Sequence, residues 1–308
     1  MPEFNEVISV LKKNRGPKDL MRLIKENISK RIKPYNKYIL PGNKPDFLII
    51  GAQKAGTTSL HYYLNQHPRL VGSRPKELRY FHKWIYHGLD INWYERNFNH
   101  IWPSDKLFFE STPDYLSCAE AAKSIAEFYP DVKLIVVLRD PVARAYSGWN
   151  MYNDFFQKKQ NKINKYIAPG RESHVYKLYF ENRSIFPSFK EAIDLEIAYK
   201  KKNRLVNSLI LGKGLYLEQL TPFFNVFDKK QLLILGFRDL INDTEEVLQR
   251  IYDFLDVSEY PFRKMNIEPR HVRKHTMRMG DSEKCFLEQY YNKPNEELFH
   301  FLGERLNW

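Results

Sequence analysis

Short apolar runs alternate with amphipathic segments along most of this 308-residue chain. The apolar runs predict strands at Asp46–Ile50, Leu107–Glu110, Val132–Leu138 and Gln231–Leu235. Between and after them, apolar positions at helical spacing predict helices at Thr57–Gln66, Ala119–Phe128, Tyr216–Phe227 and Asp243–Leu255, and Asp140-Pro141 is typical of a further helix start. Strands that alternate with helices predict an α/β, three-layer fold with a central parallel sheet flanked by helices.

The chain divides into a basic arm and one large domain. Residues 3–32 have helical periodicity and residues 34–45 resemble a linker, so 1–45 is predicted as a helical arm and 46–308 as the main domain. Within that domain, residues 154–206 are rich in lysine and asparagine. They are predicted to form an insertion with some helix that walls an acceptor site.

Charge is concentrated in the arm. Residues 1–45 carry eleven Lys/Arg and four Asp/Glu, which is +7 of the formal +12. Such an arm could bind nucleic acid or an anionic membrane, or it could be a solvated amphipathic helix packed on the domain. Two cysteines far apart, no signal peptide and no apolar run of membrane-spanning length predict a soluble, cytoplasmic protein without a transmembrane segment.

The stretch that follows the first predicted strand has the layout of a phosphate cradle. An apolar run enters the loop Gly51–Gly56, which holds one lysine, and Thr57 and Thr58 open a predicted helix. Loop N–H groups and a helix N-terminus favour an anion, which predicts a P-loop-like fold. Thr57 stands where nucleotide triphosphatases have lysine, and the lysine lies inside the loop at position 54. The alternative is an ordinary strand-to-helix turn.

Two further strand ends are polar. One continues as Glu110–Tyr115, and the other ends at Arg139 and leads to Ser147 on the next helix. Ligands of open α/β sheets bind beyond the carboxyl ends of the strands, so Arg139 is expected in the same crevice as Lys54. The alternative for Arg139 is an ion pair with Asp140 or Glu110.

Taken together, Gly51–Leu60 and Leu138–Tyr146 resemble the two signatures of sulfotransferases that use 3′-phosphoadenosine 5′-phosphosulfate (PAPS). The likeness is closest to the heparan sulfate (carbohydrate) branch, as a soluble bacterial-type member, and runs from about 46 to 255 and again over 295–308. It implies that the 3′-phosphate is bound by Arg139 and Ser147. It implies that the 5′-phosphosulfate is bound by Gln53, Lys54, Ala55, Gly56, Thr57, Thr58 and Ser59.

The segment Pro75–His82 resembles the part of the family that carries the catalytic glutamate, which maps onto Glu77. Acceptor contacts are predicted for Arg79, His82 and Tyr115. His82 is a rival base, or it has a structural hydrogen-bonding role. The chain departs from the family at Ser111, where a basic residue usually stands, which weakens the expectation of heparan-type acceptor contacts.

Near the end of the chain, the cation-rich stretch 270–278 is the candidate for an equivalent of the family's lid, which would close over the 3′-phosphate or the acceptor. Arg273 and Lys274 in this stretch are predicted to bind the cofactor. The stretch could equally be a solvated charge run. Golgi members close a hairpin with a disulfide before this loop. Here only Cys285 falls in that region, and Cys118 is not expected to reach it.

The residues therefore predict sulfuryl transfer from PAPS, with PAP as the product, to a hydroxyl or amine of a carbohydrate or other small acceptor. Glu77 is the general base, Lys54 stabilises the leaving phosphate, and no metal or nucleic-acid partner is expected. Nearby cations would favour an acidic acceptor. Two other classes remain open. A nucleotide kinase or triphosphatase would need a lysine after Gly56, and a nucleic-acid-binding module would need aromatics interleaved with the lysines of 156–166.

Overall fold

The computed structural model describes residues 42–82, 88–98, 105–157, 174–202, 209–270 and 278–308. Five strands form one parallel sheet in the order β2-β3-β1-β4-β5. The strands are β1 Phe47–Gly51, β2 Leu70–Gly72, β3 Leu107–Ser111, β4 Lys133–Leu138 and β5 Leu232–Gly236. The predicted parallel sheet is confirmed, and the short edge strand β2 is an addition to it.

The central strands are covered on both faces. All five residues of β1 are buried, and so are the last five of β4, so side chains that point to opposite faces are equally shielded from water. Phe47 on β1 stacks on Phe109 of β3 with ring centroids 4.7 Å apart. A sheet buried on both faces needs helices on both sides, as the three-layer prediction required.

Helices follow the strands as the periodicity predicted. Around the sheet these are α1 Thr57–Leu64, α2 Ile91–Glu95, α3 Ala119–Phe128, α4 Pro141–Gln157, α7 Tyr216–Phe224, α8 Phe237–Asn242 and α9 Thr244–Leu255. The insertion contributes α5 His174–Tyr179 and α6 Phe189–Lys202, and the chain continues to α10 Asp281–Leu302. Helices α2, α8 and α10 were not predicted, and the predicted arm 1–41 lies outside the described residues.

Helix α4 starts as its sequence predicts. The Asp140 carboxylate accepts hydrogen bonds from the N–H groups of Val142 (3.1 Å) and Ala143 (3.2 Å). Pro141 occupies the first position, where an N–H would have no partner within the helix. The helix therefore begins directly after β4 and carries Ser147 at a fixed distance from Arg139.

The described part of the insertion adds a second apolar cluster beside α4. Trp149 of α4 packs on Phe186 and Phe189, and Tyr291 of α10 joins the same buried group. The predicted insertion thus forms two helices that are docked on the domain, while residues 158–173 and 203–208 of it lie outside the described residues.

Strand β1 lies between β3 and β4, so its carboxyl end is flanked by theirs. Ile49 is level with Ser111, and the Ala52 N–H reaches the Val137 carbonyl at 2.8 Å. The three polar strand ends of the sequence therefore meet at one edge of the sheet, where open α/β sheets bind ligands.

Candidate active site

The loop after β1 turns sharply into α1. Gly56, the residue before the helix, has φ 81°, in the left-handed region that favours glycine. A Cβ added there would lie 2.9 Å from the Phe237 ring, so the loop also needs glycine for space. Lys54 adopts φ 73°. No side chain caps α1 and its first turn carries no acidic residue, so its N-terminal N–H groups suit an anion.

Arg139 reaches this loop from the neighbouring strand end. Its Nη1 donates to the Lys54 carbonyl at 3.0 Å, and its guanidinium lies 4.6 Å from the centroid of the Phe237 ring. The Tyr216 hydroxyl donates to the Arg139 carbonyl at 2.6 Å, which fixes the backbone where β4 ends. Lys54 and Arg139 are thus part of one loop assembly, and Ser147 is buried in the second turn of α4.

Glu77 lies between two cations. Its Oε2 accepts from Arg79 Nη2 at 2.7 Å, and its Oε1 is 3.3 Å from Lys76 Nζ. The same ammonium donates to Thr57 Oγ1 at 3.4 Å. Burial lowers the pKa of Lys76, and the charge of Glu77 opposes that effect. Lys76 was not among the predicted site residues, yet it joins the predicted base to Thr57, the first residue after the predicted phosphate loop.

Tyr115 differs from its predicted role. Its side chain is fully buried and its hydroxyl accepts the Tyr80 N–H at 2.9 Å, so it supports the base segment from beneath and is not placed to contact an acceptor. The His82 ring packs edge-on against Tyr115, with centroids 5.5 Å apart. The rival-base role and the structural hydrogen-bonding role of His82 both stay predictions.

A further cation, Lys213, enters the site from a segment that is distant in sequence. Lys213, on the 3-10 turn Gly212–Gly214, donates to Asp114 Oδ1 at 2.6 Å, and Gln53 of the loop donates to the same oxygen at 3.0 Å. Burial alone would raise the pKa of Asp114, but the charges of Lys213, His82 and Arg79 hold it well below its usual range. Sequence reasoning missed Lys213, because about a hundred residues separate it from Asp114.

The turn that presents Lys213 rests on buried polar groups. Glu196 accepts the N–H groups of Ile210 (2.6 Å) and Leu211 (2.7 Å), and the Tyr291 hydroxyl donates to the Leu211 carbonyl at 2.8 Å. Arg144, fully buried, donates to the Ile210 carbonyl. These contacts engage both N–H groups and carbonyl groups of residues 210 and 211, and so fix the backbone that leads into the turn.

Ser59, which was predicted to contact the cofactor, is engaged elsewhere. The Arg270 N–H donates to its hydroxyl at 2.8 Å, and the Arg270 guanidinium lies 3.8 Å from the centroid of the Tyr62 ring. Seven residues after Ser59, just beyond the end of α1, Gln66 exchanges two hydrogen bonds with the backbone of Asn266. Residues 266–270 therefore run along α1, while the predicted lid residues Arg273 and Lys274 lie outside the described residues.

Comparison with known proteins identifies the class. The family model of the sulfotransferase domain matches residues 44–289, and this chain belongs to the sulfotransferase family. This membership decides against the nucleotide kinase and the nucleic-acid-binding alternatives, since the family consists of sulfuryl-transfer enzymes that typically use PAPS.

Individual relatives agree with this assignment. The chain is 27% identical to the membrane-associated sulfotransferase kil1 of Dictyostelium discoideum, with 92% of this chain and 72% of that protein covered. It is 32% identical to heparan sulfate glucosamine 3-O-sulfotransferase 3B1 of Mus musculus, over 68% of this chain and 46% of that protein. The crystal structure of a sulfotransferase from Alicyclobacillus acidocaldarius has the same fold, with a TM-score of 0.62 at 23% identity, covering 86% of this chain and 98% of that one.

Among the helices of the described ranges, none combines the length and the apolar character that a bilayer crossing requires. The predicted cytoplasmic location is not tested by this finding.

Proposed function

We propose that this chain transfers a sulfuryl group from PAPS to a hydroxyl, or an amine, of a carbohydrate or another small acceptor. The observation that carries the proposal is the position of Lys76, whose ammonium lies 3.4 Å from Thr57 Oγ1 at the start of α1 and 3.3 Å from Glu77 Oε1. Glu77, which would take the acceptor's proton, and Thr57, which would help to hold the donor, thus contact the same Lys76 side chain.

The donor fits the loop assembly. When bound, PAPS would supply the sulfuryl group and PAP as the leaving group. Residues 53–59 would hold the 5′-phosphosulfate, chiefly through backbone N–H groups at the uncapped start of α1. Arg139 and Ser147 would hold the 3′-phosphate, and Arg273 and Lys274 are proposed to add to that site. The bonds between Ser59 and Arg270 favour a supporting role for the Ser59 hydroxyl.

Each charged residue then has a defined task. Glu77 accepts the proton of the attacking hydroxyl or amine, and a positioned base of this kind contributes about 10²–10⁴-fold. Lys54 and the loop N–H groups meet the negative charge that grows on the leaving phosphate, which is worth roughly 10²–10³-fold per donor. Arg79 and Lys76 hold the two oxygens of Glu77 and so set the direction of its free lone pairs.

An acidic carbohydrate is the acceptor class that the charges favour. Arg79 and Lys76 add positive charge beside Glu77. The Mus musculus relative is named for heparan sulfate glucosamine, which agrees with this class. Helices α5 and α6 of the insertion would form one wall of the acceptor site, with His82 at its edge.

The test separates donor binding from transfer. PAP at about 100-fold its Kd should stabilise the chain by about 2.7 kcal/mol in thermal unfolding, whereas ATP should not. With labelled PAPS and a panel of acidic and neutral sugars, the Glu77→Gln variant should lose transfer by at least about 10²-fold and keep the PAP shift. Glu246→Gln, on the exposed first turn of α9, is the matched control.

Two results would contradict the proposal. A chain that PAP fails to stabilise does not bind the donor at this loop. Glu77→Gln with wild-type transfer rates would exclude Glu77 as the base, even if the PAP shift were intact.

A further inference from the structure

Glu110 is a completely buried residue near the end of β3, level with Leu48 on the neighbouring strand β1. Thr112, two residues on, is equally buried, and its hydroxyl donates to Glu110 Oε1 at 2.5 Å. The hydroxyls of Tyr115 and Tyr94 lie close to this carboxyl group, and among the described residues Glu110 Oε2 has no hydrogen-bond partner. No step of the proposed sulfuryl transfer uses Glu110, so its burial calls for another explanation.

The hydroxyls that face Glu110 hold the base segment. Thr112 Oγ1 accepts the N–H of Arg79 at 3.2 Å, and the Tyr115 hydroxyl accepts the N–H of Tyr80 at 2.9 Å. Two consecutive N–H groups therefore end on two hydroxyls, and both hydroxyls face one carboxyl group. The Thr112 hydroxyl donates to Glu110 and accepts the Arg79 N–H, and a hydroxyl that donates to a carboxylate becomes a better acceptor.

This support acts on a strained position. Arg79 has φ 57°, a left-handed conformation that is uncommon for residues other than glycine and persists where surrounding contacts hold it. The Arg79 side chain in turn donates to Glu77 Oε2 at 2.7 Å. A change in the backbone at Arg79 would therefore move the cation that orients the base.

We propose that Glu110 is a positioning residue for sulfuryl transfer, which fixes the backbone of Arg79 and Tyr80 through the hydroxyls of Thr112 and Tyr115. The inference rests on the proposed role of Glu77 as the base. Glu110 does not touch either substrate, and its effect reaches the reaction through Arg79.

The carboxyl group is suited to act near neutral pH. Burial raises the pKa of Glu110 to about 7, and the Thr112, Tyr115 and Tyr94 hydroxyls oppose that rise. Ionisation strengthens the bonds that it accepts, so the base segment should be held more firmly above pH 7 than below it. Other titratable groups that face Glu110 are Glu77 and Lys76 on the base segment, Tyr94 on α2 and Tyr129 after α3.

The test compares Thr112→Val, which removes the hydroxyl and keeps the shape, with Thr112→Ser, which keeps the hydroxyl. Thr112→Val should lower kcat by roughly 10–100-fold, the range expected when a reacting group is misplaced, while the KM for PAPS and the PAP shift stay near wild type. Thr112→Ser should restore most of kcat. Wild-type kcat should rise between pH 6 and 8 as Glu110 ionises, and Glu110→Gln should both lower kcat and remove that rise.

The outcomes are separable from those of the base assignment. If Thr112→Val and Glu110→Gln, both folded by circular dichroism, turn over at the wild-type rate while Glu77→Gln is inactive, the positioning role is refuted and the base survives. If Thr112→Ser is as slow as Thr112→Val, the hydroxyl is not the cause and the inference fails. If Glu77→Gln is fully active, the base assignment is wrong, and the positioning inference that rests on it is wrong as well.

Discussion

Replacing Lys213 by methionine should destabilise the chain strongly, because its partner is left behind. Lys213 and Asp114 are joined at 2.6 Å, and only 8% and 21% of their side-chain surfaces are exposed. Breaking a buried ion pair by removing one member costs about 3–5 kcal/mol. Asp114 keeps the bond from Gln53 and some contact with solvent, so we expect about 2–4 kcal/mol here.

The assay is urea unfolding followed by circular dichroism, with the double variant Lys213→Met/Asp114→Asn beside the single one. The double variant should recover part of the loss, because no uncompensated charge remains. Lys190→Met is the matched control, since Lys190 pairs with Asp194 at 2.9 Å on the exposed surface of α6. That variant should lose far less stability than Lys213→Met, because exposed ion pairs contribute little.

The pH dependence gives a second check with a fixed sign. The pKa of Asp114 is depressed in the folded chain, so its contribution to stability is present above the unfolded value and is lost as the pH falls. The difference between wild type and Lys213→Met should therefore shrink below about pH 4. If Lys213→Met lost as little as Lys190→Met, or if the double variant were less stable than the single one, the buried-pair argument would be wrong.

Two further predictions concern the loop and the buried carboxyl of α6. Gly56→Ala should lower the free energy of unfolding by more than about 1 kcal/mol beyond the loss in Gly303→Ala, and it should abolish the PAP shift. Both glycines have positive φ, but a Cβ at Gly56 would lie 2.9 Å from the Phe237 ring, whereas a Cβ at Gly303 would meet nothing within 4 Å. Equal losses would contradict this. Burial raises the pKa of Glu196 to about 7, so ionising this group should lower the free energy of unfolding as the pH rises from about 4.5 through 7. Glu196→Gln should therefore be less stable than wild type at pH 5 but should lose less stability between pH 5 and pH 8. Urea midpoints of both proteins at pH 5 and pH 8 measure this, and a variant whose midpoint falls with pH as steeply as that of wild type would refute it.

The sheet was predictable because each central strand contains a continuous run of at least three apolar residues. Val132–Leu138 and Ala119–Phe128 were found within one residue of their bounds in the structure. Strand β2 was missed because three residues at a sheet edge carry too little pattern. Helix α10 was missed because it is largely polar, contains Pro294, and buries only a few residues along its 22-residue length.

The site was predictable where it is local in sequence. The loop with Lys54, the strand end at Arg139 and the segment with Glu77 each carry a short pattern whose chemistry is explicit. Lys213 could not be found, because only the folded chain brings it to Asp114. Tyr115 was predicted to contact the acceptor, yet its ring lies in the core and its hydroxyl accepts the Tyr80 N–H.

The contacts of Ser59 and Gln66 with residues 266–270 limit how this protein can be recombined with its relatives. A chimaera that takes everything after α9 from another sulfotransferase would bring a foreign backbone to the outer side of α1. Crossover points should therefore keep α1 and residues 266–270 from the same parent, and exchanges confined to the insertion helices leave that match intact.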